Sequence, residues 1–70
     1  MTEAIQVQVN GERKGFRGGM TVLELLEQLG LNPGRVAVEY NLEILPKTKW
    51  EHTHVGAGDR FEIVQFVGGG

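Results

Sequence analysis

The 70-residue chain contains no cysteine, which excludes disulfides, thiol nucleophiles and thiolate metal sites. It also contains no serine, so Ser-His-Asp catalysis is out. A chain this small that folds without covalent staples fits a reducing compartment, and the cytoplasm is the expected location. The opening Met-Thr-Glu-Ala-Ile-Gln lacks the basic and apolar blocks of a signal peptide. No apolar run nears the roughly 20 residues needed to cross a bilayer, so no membrane association is expected. Seven basic residues are outnumbered by nine acidic ones and form no block, which disfavours nucleic acid as a partner. The acidic residues form no isolated pair with an acid–base setting.

What remains is one small domain. Hydrophobic residues are 40% of the chain and charged residues 23%, which supports one thin core and argues against disorder. Ile5, Val7 and Val9 alternate with Gln6 and Gln8, the period of a half-buried strand. Asn10-Gly11 is a strong hairpin signal. Glu12 to Phe16 then returns as a polar edge strand, where Arg13, Lys14 and Arg17 form a charged margin that resists aggregation. Thr21 and Glu24 have the spacing of a capping box. Val22, Leu25, Leu26 and Leu29 follow on one helical face, and Gly30 is a natural C-terminal cap. Leu31 to Gly34 is a turn-rich connector. Val36, Val38 and Tyr40 predict a third strand, and Glu43 to Leu45 a short fourth one limited by Pro46. Thr48 to Glu51 has the form of a second capping box, long enough for one helical turn.

In the last strand Phe61 and Ile63 share one face, while Val64 and Phe66 share the other with Arg60 and Glu62. With Phe61 and Ile63 under the helix, Val64 and Phe66 lie on the open face and form a candidate docking patch. The order strand, strand, helix, strand, short strand, strand gives an α+β fold of β-grasp type. It is expected to hold a mixed sheet of four to five strands with one main helix packed across it.

Several motifs invite a chemical reading that the residues do not complete. His52 and His54 stand two apart near a turn, and a zinc shell would have to be filled by Asp59 or Glu51; a solvated loop accounts for the pair equally well. Gly18-Gly19-Met20-Thr21 precedes a helix as phosphate loops do, but lacks the lysine and the spacing. Trp50 is better suited to closing one end of the core than to stacking on a cofactor. No metal and no bound cofactor is expected.

The end of the chain is different. Gly68, Gly69 and Gly70 have no side chains to pack, and glycine loses the most backbone freedom on ordering. The expected organisation is a domain at 1–67 and a thin, mobile tail at 68–70. Its one chemical group is the α-carboxylate of Gly70. A carboxylate is a poor electrophile until adenylation by ATP makes it a mixed anhydride, and glycines let such an end enter a narrow active site. Docking then falls to the folded body, with Val64, Phe66 and Val67 as the partner-binding candidates.

These features together resemble the ubiquitin-like sulfur carriers of the ThiS/MoaD family, nearest to the ThiS branch that serves thiamine biosynthesis. The resemblance runs through Val9-Asn10-Gly11-Glu12, Thr21-Val22-Leu23-Glu24-Leu25-Leu26, Val36-Ala37-Val38-Glu39, Ile44-Leu45-Pro46 with Trp50, Gly58-Asp59-Arg60 and Val67-Gly68-Gly69-Gly70. Leu42 departs from the pattern, since a glycine is usual after that asparagine, and it leaves the geometry of the second turn open. The resemblance implies a carrier, not an enzyme. A ThiF-like adenylyltransferase would adenylate Gly70 using ATP, a sulfur donor enzyme would supply the sulfur, and a ThiG-like thiazole synthase would receive it from a thiocarboxylate. The alternatives are a MoaD-like subunit of molybdopterin synthase, which shares the fold and the diglycine end, and a β-grasp interaction module that carries no sulfur.

Overall fold

The structure is a computed structural model and describes residues 3–66. The chain runs β1 (Ala4–Val9), β2 (Glu12–Arg17), α1 (Val22–Gln28), a 3-10 turn (Pro33–Arg35), β3 (Val36–Tyr40), β4 (Glu43–Ile44), a second 3-10 turn (Lys47–His52) and β5 (Arg60–Gln65). The five strands form one sheet in the order β2-β1-β5-β3-β4. β1 pairs antiparallel with β2 and parallel with β5, and β5 pairs antiparallel with β3. The sheet is therefore mixed, and the last strand in sequence is the middle strand in space.

Turn chemistry sets this register. Asn10 and Gly11 both take positive φ, 51° and 84°, as a two-residue hairpin between right-twisted strands requires. Asn41 and Leu42 do the same between β3 and β4, with φ 51° and 75°. The second turn thus keeps its geometry although leucine stands where glycine is at ease. Asn10 has a further role: its side chain accepts from Ile63 N–H at 2.7 Å and donates to Ile63 C=O at 3.2 Å. An amide side chain so extends the parallel β1–β5 ladder beyond the last paired residues, Val9 and Phe61.

The helix forms for the expected reasons. Thr21 Oγ1 accepts from Glu24 N–H at 3.1 Å, and Glu24 Oε1 accepts from Thr21 N–H at 2.8 Å, so the capping box is complete. At the other end Gly30 N–H reaches Glu27 C=O and Leu31 N–H reaches Leu26 C=O, both at 3.0 Å. That is a Schellman closure, and Gly30 supplies its positive φ of 76°. Val22, Leu25 and Leu26 are fully buried against Val7, Val36, Val38, Phe61 and Ile63 on the sheet.

The connector at Leu31 to Gly34 is turn-rich as expected and leads into a 3-10 turn at Pro33–Arg35, with Asn32 Oδ1 accepting from Gly34 N–H at 2.9 Å. One sequence expectation needs correction. The second capping box does not form: the 3-10 turn begins after Pro46, and no side chain caps it. Pro46 fixes the entry to the turn, so Thr48 falls inside it and not at its head. Trp50 nevertheless sits where expected, buried at one end of the core with its indole N–H donating to Leu45 C=O at 2.9 Å. Met20 and Val55 also join the core. They are held by a seam in which Val22 N–H donates to Thr53 C=O and Val55 N–H to Met20 C=O.

Candidate functional site

The helix covers one face of the sheet, so the side chains of the other face point away from the core. Strand register fixes which residues stand there. Val38 is buried, so its neighbours Ala37 and Glu39 face outward, and Glu39 lies opposite Glu62 on β5 and opposite Ile44 on β4. Ala37 lies opposite Val64. The β5 edge of this ladder continues past its last residue, because Phe66 N–H donates to Arg35 C=O at 2.8 Å. Val64 thus stands exposed near the end of β5, with exposed Phe66 following it, while Ile44 is exposed on β4 in the row of Glu39 and Glu62. Ile44 is 78% exposed, Val64 60% and Phe66 58%.

The sequence-predicted site residues divide in two. The structure places Val64 and Phe66 on the open face, and Phe61 and Ile63 beneath the helix, as the alternation requires. Val67, Gly68, Gly69 and Gly70 lie outside the described residues, as does the proposed boundary at 67. Ile44 was not singled out from sequence. Its strand is two residues long, too short for alternation to show a face, and only the pairing with Glu39 assigns one.

The remaining candidates have structural partners. His52 Nε2 lies 3.5 Å from Glu51, and His54 forms an isolated bridge with Thr21. Asp59 closes the loop before β5: its Oδ2 accepts from Gly56 N–H at 2.7 Å and Tyr40 Oη at 3.0 Å, and its Oδ1 from Asn41 Nδ2 at 3.3 Å. Burial, then the bond to Asp59, raises the Tyr40 phenol above its ordinary value. The Glu24 carboxyl is lowered, chiefly by the Thr21 backbone N–H. Among the described residues no group of three or more His, Asp or Glu could hold a metal ion. A cleft of about 200 Å³ between Leu23, Thr48 and Trp50 is smaller than the roughly 300–1,000 Å³ of ordinary ligand sites. Among the described residues no helix is long and apolar enough to cross a membrane.

One helix laid across a mixed five-strand sheet, with parallel first and last strands at its centre, is the ubiquitin-like β-grasp. The crystal structure of a thiamine biosynthesis protein (ThiS) from Geobacter metallireducens superposes with a TM-score of 0.82 at 33% identity, over 94% of this chain and all of that one. The profile of the ThiS family matches residues 7–70. The chain belongs to the ThiS family. It is 33% identical over 94% of its length to the whole of the sulfur carrier protein ThiS of Escherichia coli. It is 47% identical, over the same share, to a thiazole synthase of Paramagnetospirillum magneticum. It spans only 20% of that longer relative.

Proposed function

We propose that this chain is the sulfur carrier for building the thiazole ring of thiamine, and that its reactive group is the Gly70 carboxylate. The carrier role follows from the family. The carboxylate assignment is supported by one observation above others: the central strand β5 leaves the sheet beside exposed Val64 and Phe66 and leads directly into Val67 and three glycines. Four extended residues span at most about 14 Å, enough to reach from a docked body into an enclosed site.

The chemistry is acyl activation. A carboxylate oxygen attacks the α-phosphorus of ATP and pyrophosphate leaves, giving an acyl adenylate. Hydrosulfide released by the sulfur donor then attacks the carbonyl carbon; the C–S bond forms, the bond to the AMP oxygen breaks, AMP leaves and the S–H proton is lost, giving a thiocarboxylate. ATP belongs to the partner and is not a cofactor of this chain. The partners of this reading are a ThiF-like adenylyltransferase, a sulfur donor enzyme and a ThiG-like thiazole synthase, meeting the carrier in the cytoplasm through Val64, Phe66 and Val67. The thiazole synthase link is supported by the longer relative of that name, which contains a region like this chain.

Intact-mass measurement after incubation with the adenylyltransferase, ATP and a sulfur donor tests the assignment. The expected product is heavier by the exchange of one oxygen for sulfur, and tandem fragmentation puts the change on Gly70. A mass that stays constant, or a change on another residue, removes Gly70 from the role.

A further inference from the structure

The chain has three asparagines, Asn10, Asn32 and Asn41, and different residues follow them: Gly11, Pro33 and Leu42. An asparagine loses its side-chain nitrogen as ammonia when the backbone nitrogen of the next residue attacks the amide carbon. Pro33 has no N–H to deprotonate for that attack, and the side chain of Leu42 crowds it. Gly11 has an N–H and no side chain. The space beside it is open too, since a Cβ placed there would meet nothing within 4 Å. Asn41 is the natural comparison. It holds the same φ of 51° in the matching turn, and its side chain also bonds β5, accepting from Arg60 N–H at 2.9 Å. Only Asn10 combines a reactive successor with a side chain whose oxygen and nitrogen both bond Ile63, at 2.7 and 3.2 Å. Those bonds hold the amide against β5, and both must break before its carbon can turn onto Gly11.

We propose that Asn10 is a site of spontaneous deamidation gated by β5: its amide reacts with Gly11 while the strand is away and is held unreactive once Ile63 clasps it. In the first step the Gly11 nitrogen gives up its proton to solvent and attacks the Asn10 amide carbon. The new C–N bond closes a five-membered imide, the bond to Nδ2 breaks, and the leaving nitrogen takes a proton from solvent to depart as ammonia. Water then opens the imide at either carbonyl, giving aspartate or isoaspartate and releasing a proton. Neither product remakes the clasp. Aspartate keeps an acceptor for Ile63 N–H but sets a second acceptor against Ile63 C=O, which loses its donor. Isoaspartate adds a methylene to the main chain of a two-residue turn, so the pairing of Val9 with Glu12 cannot keep its register. The change is one-way, and a chain that has spent time open closes less well afterwards. This chemistry needs no partner and is independent of what Gly70 carries.

The test ages the parent chain in mildly alkaline buffer, folded in one arm and unfolded in guanidinium chloride in the other. Peptide mass spectrometry with fragmentation follows the exchange of amide nitrogen for oxygen at each asparagine. The expected result is modification of Asn10 in guanidinium chloride while Asn32 and Asn41 stay intact. In the folded arm the rate at Asn10 is expected to be lower by about tenfold or more, because reaction waits on local opening of the clasp. Equal rates in the two arms overturn the gating, and an Asn41 that reacts as fast as Asn10 overturns the assignment. The chain aged in guanidinium chloride is then refolded and melted beside fresh chain. Its midpoint is expected to fall by about 4–8 °C, the shift for one lost hydrogen bond in a domain of this size. An unchanged midpoint overturns the claim that the products cannot clasp. N10D isolates the aspartate product and is expected to melt lower as well; a midpoint at or above that of the parent overturns the role given to the lost donor.

Discussion

Leu42 is the residue most at odds with its place. It holds φ 75° in the turn between β3 and β4 and leaves its side chain 69% exposed. A left-handed conformation costs an ordinary residue roughly 1–2 kcal/mol, and exposure recovers none of it. Leu42→Gly is therefore expected to stabilise the fold by about 1 kcal/mol, less than the full strain because glycine gains freedom in the unfolded chain. Chemical denaturation checks this: the midpoint should rise with an unchanged slope. Tyr40 gives a second reading at single-residue resolution, because it is the one tyrosine in the sequence. Burial and the bond to Asp59 favour its neutral form. Its contribution to stability is thus complete below the ordinary value of 10.0 and is lost as pH rises through the raised value. An absorbance titration of the phenol should show a midpoint above 10.0, and Asp59→Asn should lower it only in part, since burial is the larger cause.

The helix shows how local signals and tertiary packing divide the work. Seven residues are too few for an isolated helix to persist in water, so α1 stands on its caps and its buried face. Thr21→Ala removes the acceptor for Glu24 N–H and should cost about 1 kcal/mol, seen as a lower melting temperature. The same cap carries a pH signature. The bond from Thr21 N–H holds the Glu24 carboxyl below its ordinary 4.5, so this contribution is present above 4.5 and is lost as pH falls through the lowered value. Glu24→Gln should flatten the acid limb of the stability curve. These elements were legible because their signals lie within a few residues of one another: Asn10-Gly11, Thr21 with Glu24, Gly30. The seam that buries Met20 and Val55 was not, since its two segments lie more than thirty residues apart and neither alternates. The second capping box failed for the converse reason: Thr48 to Glu51 matches the spacing, but the proline upstream sets where the turn starts.

For the molecule as a unit, the β-grasp could be read from element order and the two faces of β5, because each apolar face had one available partner. The open face was only half legible. Val64 and Phe66 follow from alternation along one strand, whereas Ile44 sits on a two-residue strand whose face only the hairpin pairing with Glu39 assigns, and the opposition of Glu39 to Glu62 depends on register between strands far apart in sequence. If residues 68–70 serve chemistry and not folding, deleting Gly70 should leave the melting temperature unchanged while the sulfur-bearing product disappears. Paired calorimetry and mass spectrometry on the truncated chain would show both.

The clasp between Asn10 and Ile63 bears on how the protein is made. β5 lies between β1 and β3, so a nascent chain that has not reached residue 65 has two hairpins with no middle to join them. Contacts this distant in sequence form late. A ribosome product that stops early stays open to proteases, whereas a body able to close has already synthesised the strand that leads to its terminal glycines. Closure of the body thus waits on β5, the strand that both hairpins need as their common neighbour.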